Sequence, residues 1–497
     1  MRRPAARRYG RRGGRAFIAL VPLILSAAFV WIGGAALGLT GLGGPGVALA
    51  AAVLALAALV AGRAPTVAAL ALVGAAALEL GTAHHAADAR CAARAAAGGP
   101  WEAELLAPAA PGAFARAVLR PPSGERACRV GAAIAVRSGE AASGALVRVV
   151  RAQPSEGDRG LLLAEAAIEV VEGPDALERW RNRVAARLDR LFGPDAPMVR
   201  ALLIADTRGL DPDLRDRYAD AGLVHMLSIS GLHVAIVGGA LLLVFGALRL
   251  GRSAAAVAAV AVTALYVLAI GAPPPAVRSA TLFTATQLAT LVQRPVSPWG
   301  SFALGAVLPL GDLRTVLDLG WQLSVGGYAA IVVAGRVGRR LPETWQGWRA
   351  KHAKELIAGG MSTLATAPLV AWHFGRLSLI APVSNLFAGP VIALLQPTLF
   401  LVMVLPDALG ASFVVDAARP LLRAMDGVAA VAARAPGAAV PVAPTLAGAA
   451  LATAGTIALL VAGWSRHWAR PLGVAVVSVA LLAWVPDLAL PGARGRW

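Results

Sequence analysis

Residues 205–234 read ADTRGLDPDLRDRYADAGLVHMLSISGLHV, and this stretch decides the fold. Asp211-Pro212 supplies an N-cap and a first-turn proline, and Gly222 supplies a C-terminal stop. A short polar helix over 212–221 therefore leads into a hydrophobic span beginning near Leu223. The start of that span carries His225, Ser228, Ser230 and His233. Hydrogen-bonding side chains are costly in hydrocarbon, so such groups face a protein interior or a water-filled path.

The rest of the chain fits that setting. Its 497 residues are 58% hydrophobic and 15% charged, against about 45–50% and about 25% in ordinary globular domains. Apolar runs long enough to cross ~30 Å of hydrocarbon recur throughout, which predicts an α-helical polytopic membrane protein. Spans are expected at 17–39, 47–61 and 65–80. After the span near 223 they follow at 254–270, 277–292, 299–310, 316–333, 356–374, 383–405, 444–462 and 472–484. The first apolar stretch is too long for a signal-peptide core and lacks a small-residue cleavage site, so it reads as a retained span. The formal net charge of +18 invites a polyanionic partner. However, Arg2, Arg3, Arg7, Arg8, Arg11, Arg12 and Arg15 cluster at one end, and Arg336, Arg339, Arg340, Arg349, Lys351 and Lys354 further on. Such clusters fix orientation in a bilayer, and with an arginine-rich codon usage they account for the charge better.

With the basic N-terminus and Arg63 inside, three spans place the region 84–172 outside the cytoplasm. Both cysteines of the chain, Cys91 and Cys128, fall there. In an oxidising compartment they could close one loop, worth about 3–4 kcal/mol; two separate thiols are the alternative. Short alternating runs at 101–106, 114–119, 128–137, 145–150 and 161–171 predict strands, with Ala145, Val147 and Val149 facing one way and Leu146 and Arg148 the other. Five strands suit a small barrel such as the OB-fold, though periodicity does not separate it from other small β domains. His84-His85 beside Cys91 reads as a surface linker rather than a metal site. Over 175–192, Trp180, Val184, Leu188 and Leu191 form an apolar stripe flanked by Arg179, Arg181, Arg183, Arg187 and Arg190. This predicts an interfacial helix, with a guide for polyanionic DNA as the second reading. The expected divisions are N-terminal spans (1–83), an extracytoplasmic OB-like domain (84–172), interfacial and linker helices (173–222), a membrane channel domain (223–405) and a C-terminal interfacial segment with spans (406–497). The span at 383–405 conflicts with the charge clusters on either side, and its Pro390 and Pro397 suggest a broken or re-entrant segment.

Four motifs could carry chemistry. LSISGLHV (227–234) sets Ser230 three residues before His233, a spacing compatible with an intramembrane serine hydrolase borrowing His373, with close helix packing, or with a pore lining. GAPPPAVRSA (271–280) ends one span in a proline turn and starts the next with Arg278, which could contact a phosphate in transit or snorkel to headgroups. DLGWQLSV (318–325) places Gln322 and Ser324 on an apolar span, where they need partners. FGRLSLIAPVSNLFAGP (374–390) carries Asn385 on a helix–bend–helix pattern.

In this order, over roughly residues 200–405, the four blocks resemble the competence domain of the ComEC family, polytopic channels that admit DNA into naturally transformable bacteria. The resemblance implies an OB-like insertion where the β runs fall and a gate or pore mouth at the Arg278 junction. It also implies a path for single-stranded DNA past Ser230, His233, Arg278, Gln322, Ser324 and Asn385, with Trp101 and Phe114 as stacking candidates in the OB-like domain. Membrane lipids, an extracytoplasmic DNA receptor, a cytoplasmic ATPase motor and a separate nuclease are the expected partners. The motor is expected elsewhere because no G-x-x-x-x-G-K-[ST] loop occurs. Many family members end in a metallo-β-lactamase-like domain, and the His84, His85, His225, His233, His352, His373 and His467 of this chain form no H-x-H-x-D-H cluster. A short form without nuclease, metal or cofactor is expected, a transport protein of the cytoplasmic membrane rather than an enzyme. A serine hydrolase and a small-solute or lipid transporter remain the alternatives.

Overall fold

The computed structural model of the chain describes residues 26–41, 49, 52–53, 65–120, 130–157, 160–294, 297–342, 344–442, 446–462 and 473–476. Contacts divide the chain into two units, Met1–Ala186 and Arg187–Trp497.

In the first unit, helices α1 (Ser26–Leu39) and α2 (Pro65–Ala97) cross through glycines. A Cβ on Gly34 would lie 2.5 Å from the Gly74 carbonyl oxygen, and one on Gly81 would lie 2.9 Å from the Cα of Gly38. Small residues at these positions let two backbones touch, as they do between helices in lipid. The expected span at 47–61, apart from residues 49, 52 and 53, and the start of that at 17–39 lie outside the described residues. Helix α2 does not stop near Leu80. The alanine-rich run after it has high helix propensity, enough to carry the helix through Gly81, and no proline intervenes before Gly98-Gly99-Pro100. His84 and His85 therefore sit on a helix rather than in a linker, with His85 Nδ1 donating to the Leu39 carbonyl at 3.0 Å. Cys91, on the same helix, is disulfide-bonded; Cys128, the other cysteine of the chain, lies outside the described residues.

Five strands follow: β1 (Trp101–Leu105), β2 (Phe114–Arg120), β3 (Val130–Ser138), β4 (Leu146–Gly157) and β5 (Gly160–Glu172). They close into a barrel in the order β1-β2-β3-β5-β4, with β3 and β5 parallel and the other neighbours antiparallel. That arrangement is compatible with an OB-fold. Alternate residues fill the interior: Ala103, Leu105, Ala117, Leu119, Ile134, Val147, Val149 and Leu163 are buried. The outward positions pair across strands, Arg148 with Glu102 at 3.1 Å and Arg120 with Glu104 at 2.5 Å. Helix α3 (Ala176–Phe192) begins against this unit, where Asn182 donates to the Ser143 carbonyl at 3.2 Å.

In the second unit, α4 (Ala196–Ile204) and α5 (Pro212–Asp220) lead to the bundle. Asp211 caps α5 by accepting the Asp213 N–H at 3.1 Å, as its position before a proline predicts. The loop before it is tied by Asp206, which is buried. Burial pushes its carboxyl up, but the hydrogen bonds and charge of Arg208, at 2.6 Å from Nε, outweigh that and hold it below the ordinary carboxylate range. The next span does not begin near Leu223. Val224–Leu227 forms a 3-10 turn, Ser228 is extended, and α6 (Gly231–Ala247) starts after Ser230. Helices α7 (Arg252–Ala269) and α8 (Pro274–Leu291) follow. The expected span at 299–310 is a ten-residue helix, α9 (Pro298–Val307), continued by two 3-10 turns; that is too short to cross ~30 Å.

Helices α10 (Leu319–Gly338) and α11 (Gly347–Phe374) form a close hairpin: a Cβ on Gly327 would lie 3.1 Å from Ser362 Oγ, and one on Gly338 would lie 3.2 Å from Lys354 Cγ. After strand β6 (Arg376–Ser378), α12 (Ala381–Val404) is one continuous helix, so its Pro390 and Pro397 do not break it. Its two ends and its middle are held by the segment 187–222. Ser384 Oγ donates to the Ala221 carbonyl at 2.6 Å, and Gln396 Nε2 donates to that of Leu202 at 3.1 Å. Arg187, expected at a lipid or DNA surface, instead donates to the carbonyls of Val402 (3.0 Å), Met403 (3.3 Å) and Leu405 at the C-terminal end, and pairs with Asp407. Helix α13 (Ala411–Ala433) packs back along α12, strand β7 (Ala439–Pro441) pairs with β6, and α14 (Leu446–Ala462) follows. The expected span at 472–484 lies mostly outside the described residues.

By length and composition, α7 and α12 are apolar enough to cross a membrane. Large apolar side chains stand exposed around the bundle, among them Leu243, Leu265, Leu394 and Phe413.

Candidate functional site

A cavity of about 990 Å³ lies within the second unit, between α5 and the turn after it, α6, α10, α11 and α12. Its lining follows α11 from Lys351 to Phe374, about 35 Å at ~1.5 Å per residue. Charged lining groups gather at the two ends of that helix. Lys351, His352 and Glu355 occupy its first turns, with His352 Nδ1 at 3.0 Å and Lys351 Nζ at 4.0 Å from the Glu355 carboxylate. Arg376 follows its last turn and reaches Asp216 and Asp220, each at 3.0 Å, beside Arg215. Between them α11 presents Ser362, Thr363, Thr366 and small apolar groups, none of them charged.

Three of the six residues expected along a path line this cavity: Ser230, Ser324 and Asn385. Asn385 also donates to the Ala381 carbonyl one turn back, at 2.7 Å. The other three stand behind the wall. His233 is fully buried, and its Nδ1 lies 3.1 Å from the Ser230 backbone N–H and 2.8 Å from Ser230 Oγ. The two residues close a capping box at the start of α6, so the spacing of three is that of a helix terminus. Gln322 donates to the Val316 carbonyl at 3.0 Å, bracing the turn before α10.

Arg278 does not snorkel to a surface. It is 6% exposed, its Nε donates to Ser324 Oγ at 2.8 Å, and its guanidinium lies 5.0 Å from the ring centre of Tyr328. Glycines make room for it: a Cβ on Gly231 would lie 2.9 Å from Nη2, and one on Gly305 would lie 3.0 Å from Cγ. Nη1 is buried with no hydrogen-bond partner among the described residues.

Of the aromatic candidates in the first unit, Trp101 is buried in the barrel core, with Nε1 donating to the Ala95 carbonyl at 2.9 Å. Phe114 is 73% exposed. No group of three His, Cys, Asp or Glu side chains that could hold a metal occurs among the described residues.

The hydroxyl stripe of α11 was missed in the sequence. Ser362 and Thr366, four residues apart, line the cavity with Thr363 beside them, a pattern visible once helix and register are known.

Against known proteins, the family model described as "Competence protein" matches residues 202–468. The chain is 25% identical to ComE operon protein 3 of Bacillus subtilis (strain 168) over 212 residues, which cover 42% of this chain and 26% of that protein. It is 30% identical to Competence protein ComA of Neisseria gonorrhoeae over 249 residues, covering 46% of this chain and 34% of that protein. The matches thus span about a quarter and about a third of these relatives' own lengths. No solved structure matches significantly.

Proposed function

This chain belongs to the competence-protein family, and from that premise we propose that it carries single-stranded DNA across the cytoplasmic membrane during natural transformation. The observation that carries this reading is the cavity along α11. Its length of about 35 Å matches the ~30 Å hydrocarbon layer, and its charged groups stand at the two ends of that helix with an uncharged hydroxyl-bearing stretch between. At these ends Lys351 and Arg376 stand in partly exposed ion pairs, whose cations can exchange a carboxylate for a phosphate. A polyanion in transit needs weak holding between them. Ser230, Ser324, Asn385 and Thr366 line the path; His233, Arg278 and Gln322 support its wall.

In this arrangement the second unit is the polytopic channel, its exposed leucines and phenylalanines facing lipid. The N-terminus is cytoplasmic and the barrel extracytoplasmic, where exposed Phe114 offers a base-stacking surface. Strand capture, driving force and degradation of the complementary strand fall to separate receptor, motor and nuclease proteins, and the chain itself acts as a transporter rather than an enzyme.

The test is uptake of fluorescent DNA into the cytoplasm of a deletion strain complemented with the intact chain or with Thr366→Trp, which fills the middle of the cavity. Rescue by the intact chain and loss of at least tenfold with Thr366→Trp, at equal membrane level, is expected. Full rescue by Thr366→Trp would remove the cavity from the path.

A second reading rests on the 2.8 Å contact between Ser230 Oγ and His233 Nδ1, the reach of a nucleophile and its base. That Nδ1 also faces the Ser230 backbone N–H, which fits a cap better. Labelling of the chain by a fluorophosphonate, lost in Ser230→Ala, would restore the hydrolase reading.

A further inference from the structure

We propose that Arg278, Ser324 and the first turn of α6 form a binding subsite for a phosphate oxyanion, set one side chain behind the cavity wall. The guanidinium is a full positive charge with no carboxylate against it among the described residues; its near neighbours are the Ser324 hydroxyl and the Tyr328 ring. Leaving a buried cation without a counter-charge is costly. Nη1 makes that cost concrete, because it is a strong donor, buried, and bonded to nothing described.

The surroundings add to the positive charge. Nη2 packs where a side chain on Gly231 would stand, and Gly231 is the first residue of α6. The capping box pairs the N–H groups of Ser230 and His233, and the aligned peptide dipoles still leave a partial positive charge at this helix N-terminus. Cation and helix end therefore converge on one point, an arrangement that repels itself until an anion enters. Helix N-termini are ready phosphate sites for the same reason.

Access requires one movement. Ser324 lines the cavity and accepts the Arg278 Nε–H at 2.8 Å. Rotation of this hydroxyl away from Nε opens the guanidinium to the cavity, and an entering phosphate oxygen takes the place of Oγ as acceptor. The freed Ser324 hydroxyl then donates to the same phosphate. The ligand chemistry is a phosphate group, free or as the phosphodiester of a strand. The existence of the subsite stands on the geometry alone; its use by a passing strand rests on the function proposed above.

The experiment uses the full chain in nanodiscs and inorganic phosphate as the probe, at constant ionic strength balanced with chloride. Thermal unfolding is followed for the wild type, Arg278→Gln, Arg278→Lys and Ser324→Val. The wild type is expected to gain several degrees along a saturating curve, Arg278→Gln to gain nothing, and Arg278→Lys to need at least tenfold more phosphate. Ser324→Val keeps the charge but seals the wall, so it loses the response with its folding intact, which guards against failure of the Arg278 variants to fold. An equal gain in Arg278→Gln or Ser324→Val, or no saturating gain in the wild type, overturns the subsite. In a second arm, saturating oligo(dT) abolishes the phosphate response if the strand occupies the site. A response that is lost in Arg278→Gln yet indifferent to oligo(dT) upholds the subsite and counts against the strand path.

Discussion

Gly222 offers a quantitative test of how the linker meets the bundle. It ends α5 with φ +71°, and its N–H donates to the Ala219 carbonyl at 3.0 Å. A side chain there meets two separate penalties. The left-handed backbone costs an alanine about 1–2 kcal/mol relative to glycine. The new Cβ would also overlap the Ala381 Cβ, 2.9 Å from the Ala381 Cα and 2.8 Å from Ser378 Oγ. Part of that obstacle is backbone, so α12 must shift, and forced overpacking typically costs about 1–3 kcal/mol. Gly222→Ala should therefore destabilise the second unit by about 2–5 kcal/mol. Gly410 supplies the control: its φ is +89° and open space surrounds its missing Cβ, so Gly410→Ala should cost only the backbone share, about 1–2 kcal/mol. Titration with SDS in mixed micelles reads both. Adding Ala381→Gly to Gly222→Ala removes the overlapping carbon and should return about 1 kcal/mol or more, a coupling of the size contacting residues show. Equal losses in Gly222→Ala and Gly410→Ala, with no recovery from Ala381→Gly, would refute the claim that α5 and α12 meet at this glycine.

Arg187→Gln removes charge-assisted bonds to the end of α12 and should cost about 2 kcal/mol in the same titration; an unchanged midpoint would deny the cap. Asp206 gives a pH dependence. Its carboxyl is held below the ordinary 3.8, so the stability it contributes is fully present above that value and lost as pH falls through the lower folded value. The melting temperature should fall on acidification below 3.8, and Asp206→Asn should flatten the fall; parallel curves would sink the assignment. In the barrel, Trp101→Ala should cost about 3–5 kcal/mol because it empties a core position. Phe114→Ala should change stability by less than about 0.5 kcal/mol yet weaken binding of oligo(dT) by about tenfold or more, read by fluorescence anisotropy on the full chain.

The barrel was legible because a closed sheet buries every second residue, and Ala145, Val147 and Val149 keep that period without interruption. The α5 boundaries were legible for a local reason as well, an Asp-Pro start and a glycine stop. The break before α6 was not. LVHMLSISGL reads as an unbroken apolar run, and the 3-10 turn inside it follows from Ser230 acting as a cap, a choice made by its partner His233. The extension of α2 was hidden because polarity suggested an end where propensity carried the helix on. For the site, sequence picked out polar residues on apolar helices but not which side of the wall each occupies. Arg278 and Ser324 lie 46 positions apart, and their meeting is a product of tertiary packing alone.

Helix α12 is a braced beam. Its ends are fastened, by Ser384 to Ala221 and by Arg187 to Val402 and Leu405. Its span contains two prolines, and each removes the rung to the carbonyl four residues earlier, at Leu386 and Ala393. Both of those residues, and Pro390 itself, border the cavity. Gln396 ties the helix to Leu202 beside Pro397, so the free stretch runs from Ser384 to Gln396 around Pro390. A beam clamped at those two points and weakened between them yields by bowing sideways, not by sliding. The bore beside it can therefore widen and narrow while both clamps stay closed, so the wall of the cavity is also its spring.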